Sequence, residues 1–442
     1  MQTTPEPAER LSLDDLREAW DLLVSDDRLE GFRALDRSEA ETFFLSLSTR
    51  DQAELLLELP GLDRRSWLRL LAPDDAADVV QEAPREEWPD LLGLLDEPTR
   101  RDVSALLAYA EDDAGGLMNP RYTRVRPEMT LDEAITYLRR QARERPDSLI
   151  YAYVLDHEQK LRGVISFREL LAGAPEQRVQ EVMKDRLVTV HDDMDQEEVA
   201  KLFDRHHYAA LPVVDGEGVM KGIVTADDIV DVVREEATED IQKIGGTEAL
   251  DEPYLDVGFM TMLKKRAGWL SALFLGEMLT ASAMSAYQDE IARAVVLALF
   301  VPLVISSGGN SGSQATTLVI RAMALGEVRL RDWWRVVRRE FLSGLGLGLI
   351  LSAIGVTRIL VWEALFHTYG AHGGVIALTV GLSLIGVVLW GTLVGSMLPF
   401  LLRRLNFDPA SASAPFVATL VDVTGLIIYF TTAQVLLRGT LL

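Results

Sequence analysis

Residues 263–442 contain five apolar runs, 268–287, 294–320, 341–362, 374–402 and 411–437, and no other feature restricts the fold as strongly. A spanning helix needs about 20 apolar residues to cross a hydrocarbon core, so each run is long enough, the longer ones with tilt. The preceding stretch is of the opposite kind. Residues 1–262 carry 59 Asp and Glu against 30 Lys and Arg, a net charge of −29, whereas residues 263–442 carry 9 against 14, a net of +5. A chain of 442 residues exceeds what one core usually holds, and this one divides into a charged, water-soluble part and an apolar membrane part. So acidic a balance argues against nucleic acid as a partner and suits cations, although a solvated surface is its commoner meaning.

Cysteine is absent, which excludes disulfides, thiolate metal sites and a cysteine nucleophile. The opening MQTTPEPAERLSLDD lacks the basic stretch and apolar core of a signal peptide, so the N-terminus is expected in the cytoplasm. Basic residues cluster before the first run (Lys264, Lys265, Arg266), between the second and third (Arg321, Arg329, Arg331, Arg335, Arg338, Arg339) and after the fourth (Arg403, Arg404). Positive-inside bias then gives a multi-pass protein of the cell inner (plasma) membrane, surrounded by lipid, with five spans, the N-terminus cytoplasmic and the C-terminus outside.

Residues 1–116 form an acidic helical domain in this reading, because Leu, Ala and Trp recur at helical spacing between Pro60, Pro73, Pro84 and Pro98. Asp74 and Asp78 lie four apart, on one face of a helix start, where the plain reading is N-capping by Asp74 and Asp75. Residues 117–233 change to alternating strands and helices, and the pattern repeats: LMNPRYTRVRPEMTLDEAITYL at Leu117 is echoed by VMKDRLVTVHDDMDQEEVAKLF at Val182. LRGVISFREL is likewise echoed by MKGIVTADDI. Each copy (117–173 and 182–233) is an α/β unit too small to bury both its faces alone, and two packed together would do so. The string LPVVDGEGVMKGIVTADDI closely resembles a tandem CBS-domain pair. That resemblance implies that Thr225 and Asp228 match positions that hold a nucleotide's ribose and phosphates, making ATP or another adenine nucleotide a candidate ligand. The first copy has Ser166 and Glu169 there.

Residues 234–262 open as an acidic helix with Glu235, Glu236, Glu239 and Asp240, then pass Gly245 and Gly246 towards the membrane. Such like-charge density costs stability unless cations or bases offset it. Within the apolar runs, Asp422 and Glu277 are the acidic residues at membrane depth. A charge there costs roughly 2.5 to 3.5 kcal/mol on insertion scales. Asp422 is either a buried carboxylate bonded to a neighbouring helix or the attractor of a passing cation; no base at its depth in the last run neutralises it. One carboxylate is a thin site for Mg²⁺, which takes oxygen ligands and keeps much of its water, so a two-fold dimer placing two Asp422 side chains about one axis suits it better. The small residues of SSGGNSGSQATT (306–317) would permit close helix approach or a local helix break lining a cavity.

The strings GGNSGSQATTLVIRAMA and SMLPFLLRRLNFDPASASAPFVATLVDVTGLIIYF, behind the CBS pair and the acidic helical domain, resemble the MgtE family of Mg²⁺ channels and transporters over nearly the whole chain. The resemblance implies a multidomain fold: an α-helical superhelical N-domain, an α/β CBS pair, a plug-like connecting helix (234–262) and an all-α domain of five transmembrane helices (263–442). It implies a homodimer with a pore between subunits, Asp422 as the ion-selecting residue, Asp408 at the inner pore mouth, and cytoplasmic Mg²⁺ sites that favour closure. Sensor carboxylates fall at Glu41, Asp74, Asp78, Asp195, Glu197, Asp228, Asp231, Glu236, Glu239 and Asp240. Two positions depart: His207, where a carboxylate is expected, and Glu277, where a small or apolar residue is usual.

The competing function is a nucleotide-sensing CBS membrane regulator without transport, which the cost of a membrane aspartate disfavours. An anion channel is disfavoured by the same charge. No Ser/His/Asp, zinc-ligand or phosphate-loop pattern supports an enzyme. Co²⁺, Ni²⁺ and Mn²⁺ share the charge of Mg²⁺ and stand as alternative cargo.

Overall fold

The computed structural model describes residues 12–144, 151–250, 254–255, 257–438 and 440–441. They form two compact units, one ending at Arg234 and the other beginning at Glu235.

In the first unit, short helices follow one another from Leu13 to Leu106. Many are started by a side chain accepting from a first-turn amide, as Ser12, Asp36, Ser48 and Asp96 do. Trp20, Phe32, Phe43, Phe44 and Trp67 gather at the centre, with the Phe32 and Trp67 rings edge-on at 4.9 Å. Helix α1 (Pro73–Glu82) corrects the capping expectation. Its N-cap is Ala72, without a side-chain cap, and Pro73 takes the first turn. Asp74 therefore sits inside the helix, where its carboxylate accepts from first-turn amides and from Asn119 Nδ2 at 3.0 Å.

The repeat folds as its pattern predicts. Strands β1 (Arg124–Val125), β2 (Tyr151–Leu155) and β3 (Leu161–Ser166) make one sheet, and β4 (Val190–His191), β5 (Ala210–Val214) and β6 (Met220–Thr225) the other, each with its first pair parallel and second antiparallel. Thr130 opens α2 (Leu131–Glu144) and Asp195 opens α3 (Gln196–His206). Tyr153, Leu155, Met220 and Ile223 form a core shared by the copies, and bridges Asn119↔Ile223 and Lys160↔Val219 join them. His207 ends α3 in the left-handed region at φ 53°.

A closing helix ending at 233 and a separate connecting helix from 234 were expected, but one helix, α4 (Ala226–Ile244), covers both. No Gly or Pro interrupts it, and Gly246 at φ 76° follows its end. Residues 251–253 and 256 of the expected linker lie outside the described residues.

The second unit holds α5 (Phe259–Ala286), α6 (Val301–Ala324), α7 (Trp333–Phe366), α8 (Gly373–Arg404) and α9 (Ala414–Leu437). Among the described residues, four stretches are long and apolar enough to cross a membrane: Val295–Ala324, Leu330–Phe366, Gly373–Arg404 and Ala414–Leu437. Helix α5 has the length, but Glu277 and its Ser, Thr and Gly residues dilute its apolar character. The 306–317 segment stays helical, so its small residues serve close packing rather than a break. Gly308 and Gly312 of α6 face Gly391 and Gly395 of α8, where an added Cβ on Gly391 would collide with the Gly308 carbonyl and one on Gly395 with that of Gly312. Pro399, inside α8, has no N–H for the Gly395 carbonyl. The Thr316 hydroxyl, 2.8 Å from that oxygen and 2.9 Å from Gly312 O, takes the vacated role from the neighbouring helix.

Thr316→Val, nearly isosteric, should therefore destabilise the detergent-solubilised protein by about 1–3 kcal/mol, because a buried carbonyl is orphaned. Gly395→Val should cost more, and Gly346→Ala, which meets nothing within 4 Å, should leave the thermal midpoint unchanged.

Candidate functional site

Acidic side chains converge in the first unit where α1 meets the start of α4. Asp74 is 8% exposed. Burial, then Asp75 and Asp228, push its pKa up to about 8. Burial and the charges of Asp74, Asp75, Asp228 and Glu111 push Asp78 well up as well. Asp228 is raised to about 6, chiefly by burial, against hydrogen bonds from Thr225. Its Oδ2 accepts from the Thr225 hydroxyl at 2.6 Å and the Thr225 amide at 3.1 Å, which starts α4. Ser166 and Glu169 build the same device in the first copy, with Lys184 3.1 Å from Glu169. Burial is the largest influence on all three, and the charge of neighbouring aspartates adds to it. Among the described residues, no three His, Asp or Glu side chains close into a metal-ligand set.

The other expected sensor residues are spread out. Glu41 pairs with Arg37 at 2.6 Å, Glu197 with Lys201 at 2.6 Å and Asp231 with Arg234 at 3.4 Å, while Asp195 accepts from the Glu197 amide at 2.9 Å. Glu236 and Asp240 are half-buried on α4. Glu239 and Asp408 share a partner that the sequence reading missed. Lys243 Nζ lies 2.5 Å from Glu239 and 2.7 Å from Asp408. Burial opposes its charge, but hydrogen bonds to Asp408 and Glu239 outweigh this and hold its pKa above the ordinary lysine value. Ile244 packs beside it on Ile320, Ala410 and Ala412, so the end of α4 is seated on the loop between α8 and α9. The Glu239–Lys243 spacing of four was the signal available in the sequence.

In the bundle, Asp422 is half-buried on α9, facing α6 at its thinnest point: a Cβ on Gly309 would stand 3.5 Å from Asp422 Oδ1. Among the described residues it has no hydrogen bond or ion pair, so the alternative of a carboxylate bonded to a neighbouring helix is not realised. Ser306, Asn310, Gln314 and Thr317 form an exposed polar stripe on the same α6. Lipid solvates such a face poorly, so water or another copy of the chain suits it better.

The fold and these sites define a class: a membrane transport protein with a CBS pair ahead of its bundle. Residues 11–112 match the MgtE intracellular N domain, 114–175 and 179–235 the CBS domain, and 301–432 the Divalent cation transporter family. The chain is 42% identical to the magnesium transporter MgtE of Thermus thermophilus over 98% of its own length and 95% of that protein's. With the Bacillus subtilis magnesium transporter MgtE it shares 32% identity over 92% and 94% respectively. A solved cytosolic domain of the Mg²⁺ channel MgtE in complex with ATP is 41% identical, covering 51% of this chain and 91% of that one, with a TM-score of 0.47. The chain belongs to the MgtE family and is an integral membrane protein.

The raised aspartates fix a pH dependence. With a folded pKa of about 8 against an unfolded value of about 3.9, Asp74 binds more protons in the folded state across that interval. Its contribution to stability is therefore complete below about pH 4 and is lost as pH rises through about 8; Asp228 adds the same sign up to about 6. Without divalent cations, the thermal midpoint of the first unit should fall between pH 5 and pH 8.5. Asp74→Asn should flatten that slope, as scanning calorimetry of both proteins at several pH values would show.

Proposed function

We propose that this chain is a Mg²⁺-selective channel or transporter of the plasma membrane, closed by Mg²⁺ on the cytoplasmic side. The observation that carries this is Asp422: a carboxylate on an apolar helix, without a base or hydrogen-bond partner among the described residues, against the glycine face of α6. Such a group is held at a cost that a passing dication offsets. In a homodimer two Asp422 side chains face one axis and bind Mg²⁺ through its water shell, with the polar stripe of α6 wetting the path. Five spans with the N-terminus in and the C-terminus out complete the arrangement, α5 being the least apolar. The magnesium-transporting names of the relatives fit this cargo; Co²⁺, Ni²⁺ and Mn²⁺ would compete for the same charge.

For closure, Asp228 and Asp231 near the start of α4 and Glu239 near its end belong to the same helix. Hydrated Mg²⁺ attracted by Asp74, Asp78 and Asp228, with Asp231, Glu236, Glu239, Asp240, Glu41, Asp195 and Glu197 as further weak sites, favours the closed form by its differential affinity alone. Asp408 marks the inner mouth. ATP or another adenine nucleotide at Thr225 and Asp228 is a second regulatory ligand in this reading.

Asp422→Asn should abolish Mg²⁺ uptake into proteoliposomes while leaving the assembly intact by size-exclusion chromatography, and uptake at the parent rate would refute the assignment. In inside-out patches, a variant with Asp228, Asp231 and Glu239 all neutralised should conduct but close only at several-fold higher Mg²⁺. Closure at the parent concentration would mean that these carboxylates are a solvated surface.

A further inference from the structure

Helix α5 lies along α9 with residues rising in the same order. Trp269 Nε1 donates to Ser413 Oγ at 3.1 Å, and the Trp269 and Phe416 ring centroids are 6.3 Å apart. A Cβ on Gly276 would stand 2.9 Å from Thr419 Cγ2. One residue past Gly276 is Glu277, the acidic residue of α5, and three past Thr419 is Asp422. Glu277 is exposed on α5, and its charge acts on Asp422. Among the described residues, neither has a hydrogen bond or an ion pair.

Thr280 supplies an independent sign of a ligand. It is the buried residue of α5, 8% exposed, and its hydroxyl has no hydrogen-bond partner. Thr316, Thr379, Thr392, Thr419, Thr424 and Thr432 of the same bundle all reach the carbonyl four residues earlier, whereas Thr280 does not. At about 100° per residue, Thr280 points between the direction of Gly276, which faces α9, and that of Glu277. Two unpaired carboxylates and an orphaned hydroxyl are the oxygen donors that a hydrated dication accepts.

We infer that Glu277 is a second ion-attracting carboxylate of the conduction path, which with Asp422 and the Thr280 hydroxyl holds the water shell of the passing divalent cation. The inference rests on Asp422 being the ion-selecting group. It gives each subunit two negative charges at this level, so the path binds a dication more tightly and discriminates more strongly against monovalent ions than Asp422 alone would allow.

The test is Mg²⁺ influx into proteoliposomes across a range of external Mg²⁺, for the parent and for Glu277→Gln, Glu277→Asp, Thr280→Val and Asp422→Asn. Glu277→Gln should raise the half-saturating Mg²⁺ by about five- to tenfold with maximal flux retained, Glu277→Asp should stay near the parent, and Thr280→Val should give a rise of about twofold. Parent-like half-saturation in Glu277→Gln, or equal shifts in the Gln and Asp variants, would overturn the inference, the second outcome indicating packing rather than charge. Asp422→Asn separates the two readings. If it conducts normally, the ion-selecting assignment fails and this inference falls with it; if it is dead while Glu277→Gln behaves as the parent, this inference alone falls.

Discussion

A carboxylate taken out of water must find positive charge, a proton or a hydrogen-bond donor, and the two units of this chain meet that requirement differently at each site. Glu239 and Asp408 are given Lys243, held between them at 2.5 and 2.7 Å. Asp74, Asp78 and Asp228 have their pKa values pushed up by burial and by the charge of neighbouring carboxylates. Asp422 has neither a base nor a hydrogen bond among the described residues. Paired sites of the first kind fasten structure. Sites of the second kind remain dependent on a proton or another mobile partner, which is what the proposed role of these carboxylates toward Mg²⁺ rests on.

The position of Asp422 follows from backbone packing. Gly308 and Gly312 let α6 and α8 approach until carbonyl oxygens of one helix meet the Cα positions of the other, and Pro399 leaves a carbonyl that Thr316 of α6 takes up. With α6 fixed in this way, Gly309 presents a face without a side chain to α9, and the Asp422 carboxylate occupies that space. A larger residue at 309 would press on the carboxylate itself. The glycines thus set the surroundings of Asp422 through a distance of approach, with the helix unbroken.

The same economy appears in the repeat. Thr225 with Asp228 and Ser166 with Glu169 both cap helices, so residues that resemble nucleotide-binding positions already have a local structural task. A ligand at Asp228 must compete with that cap. The charge of Asp228 also acts on Asp74 and Asp78, and among the described residues Asp228 has no ion pair like that of Glu169 with Lys184.

Much of this was legible in the sequence, because hydropathy and repetition are local properties. Charge partition separated the membrane part, the 65-residue echo from Leu117 to Val182 specified two like α/β units, and Asp422 stood out as a charge among apolar neighbours. Element limits were less legible. The fusion of two expected helices into α4 and the N-cap at Ala72 instead of Asp74 depend on which residues actually occupy the first turn, and several candidates in each window could have done so. What the tertiary structure alone decided is which side chains meet. Asn119 reaches Asp74 across 45 positions, Lys243 reaches Asp408 across 165, and Trp269 reaches Ser413 across 144 because α5 packs along α9. Sequence patterns record what each residue needs from its surroundings, apolar cover or water; they do not record which distant residue will supply it, because that partner is chosen by the packing of whole helices.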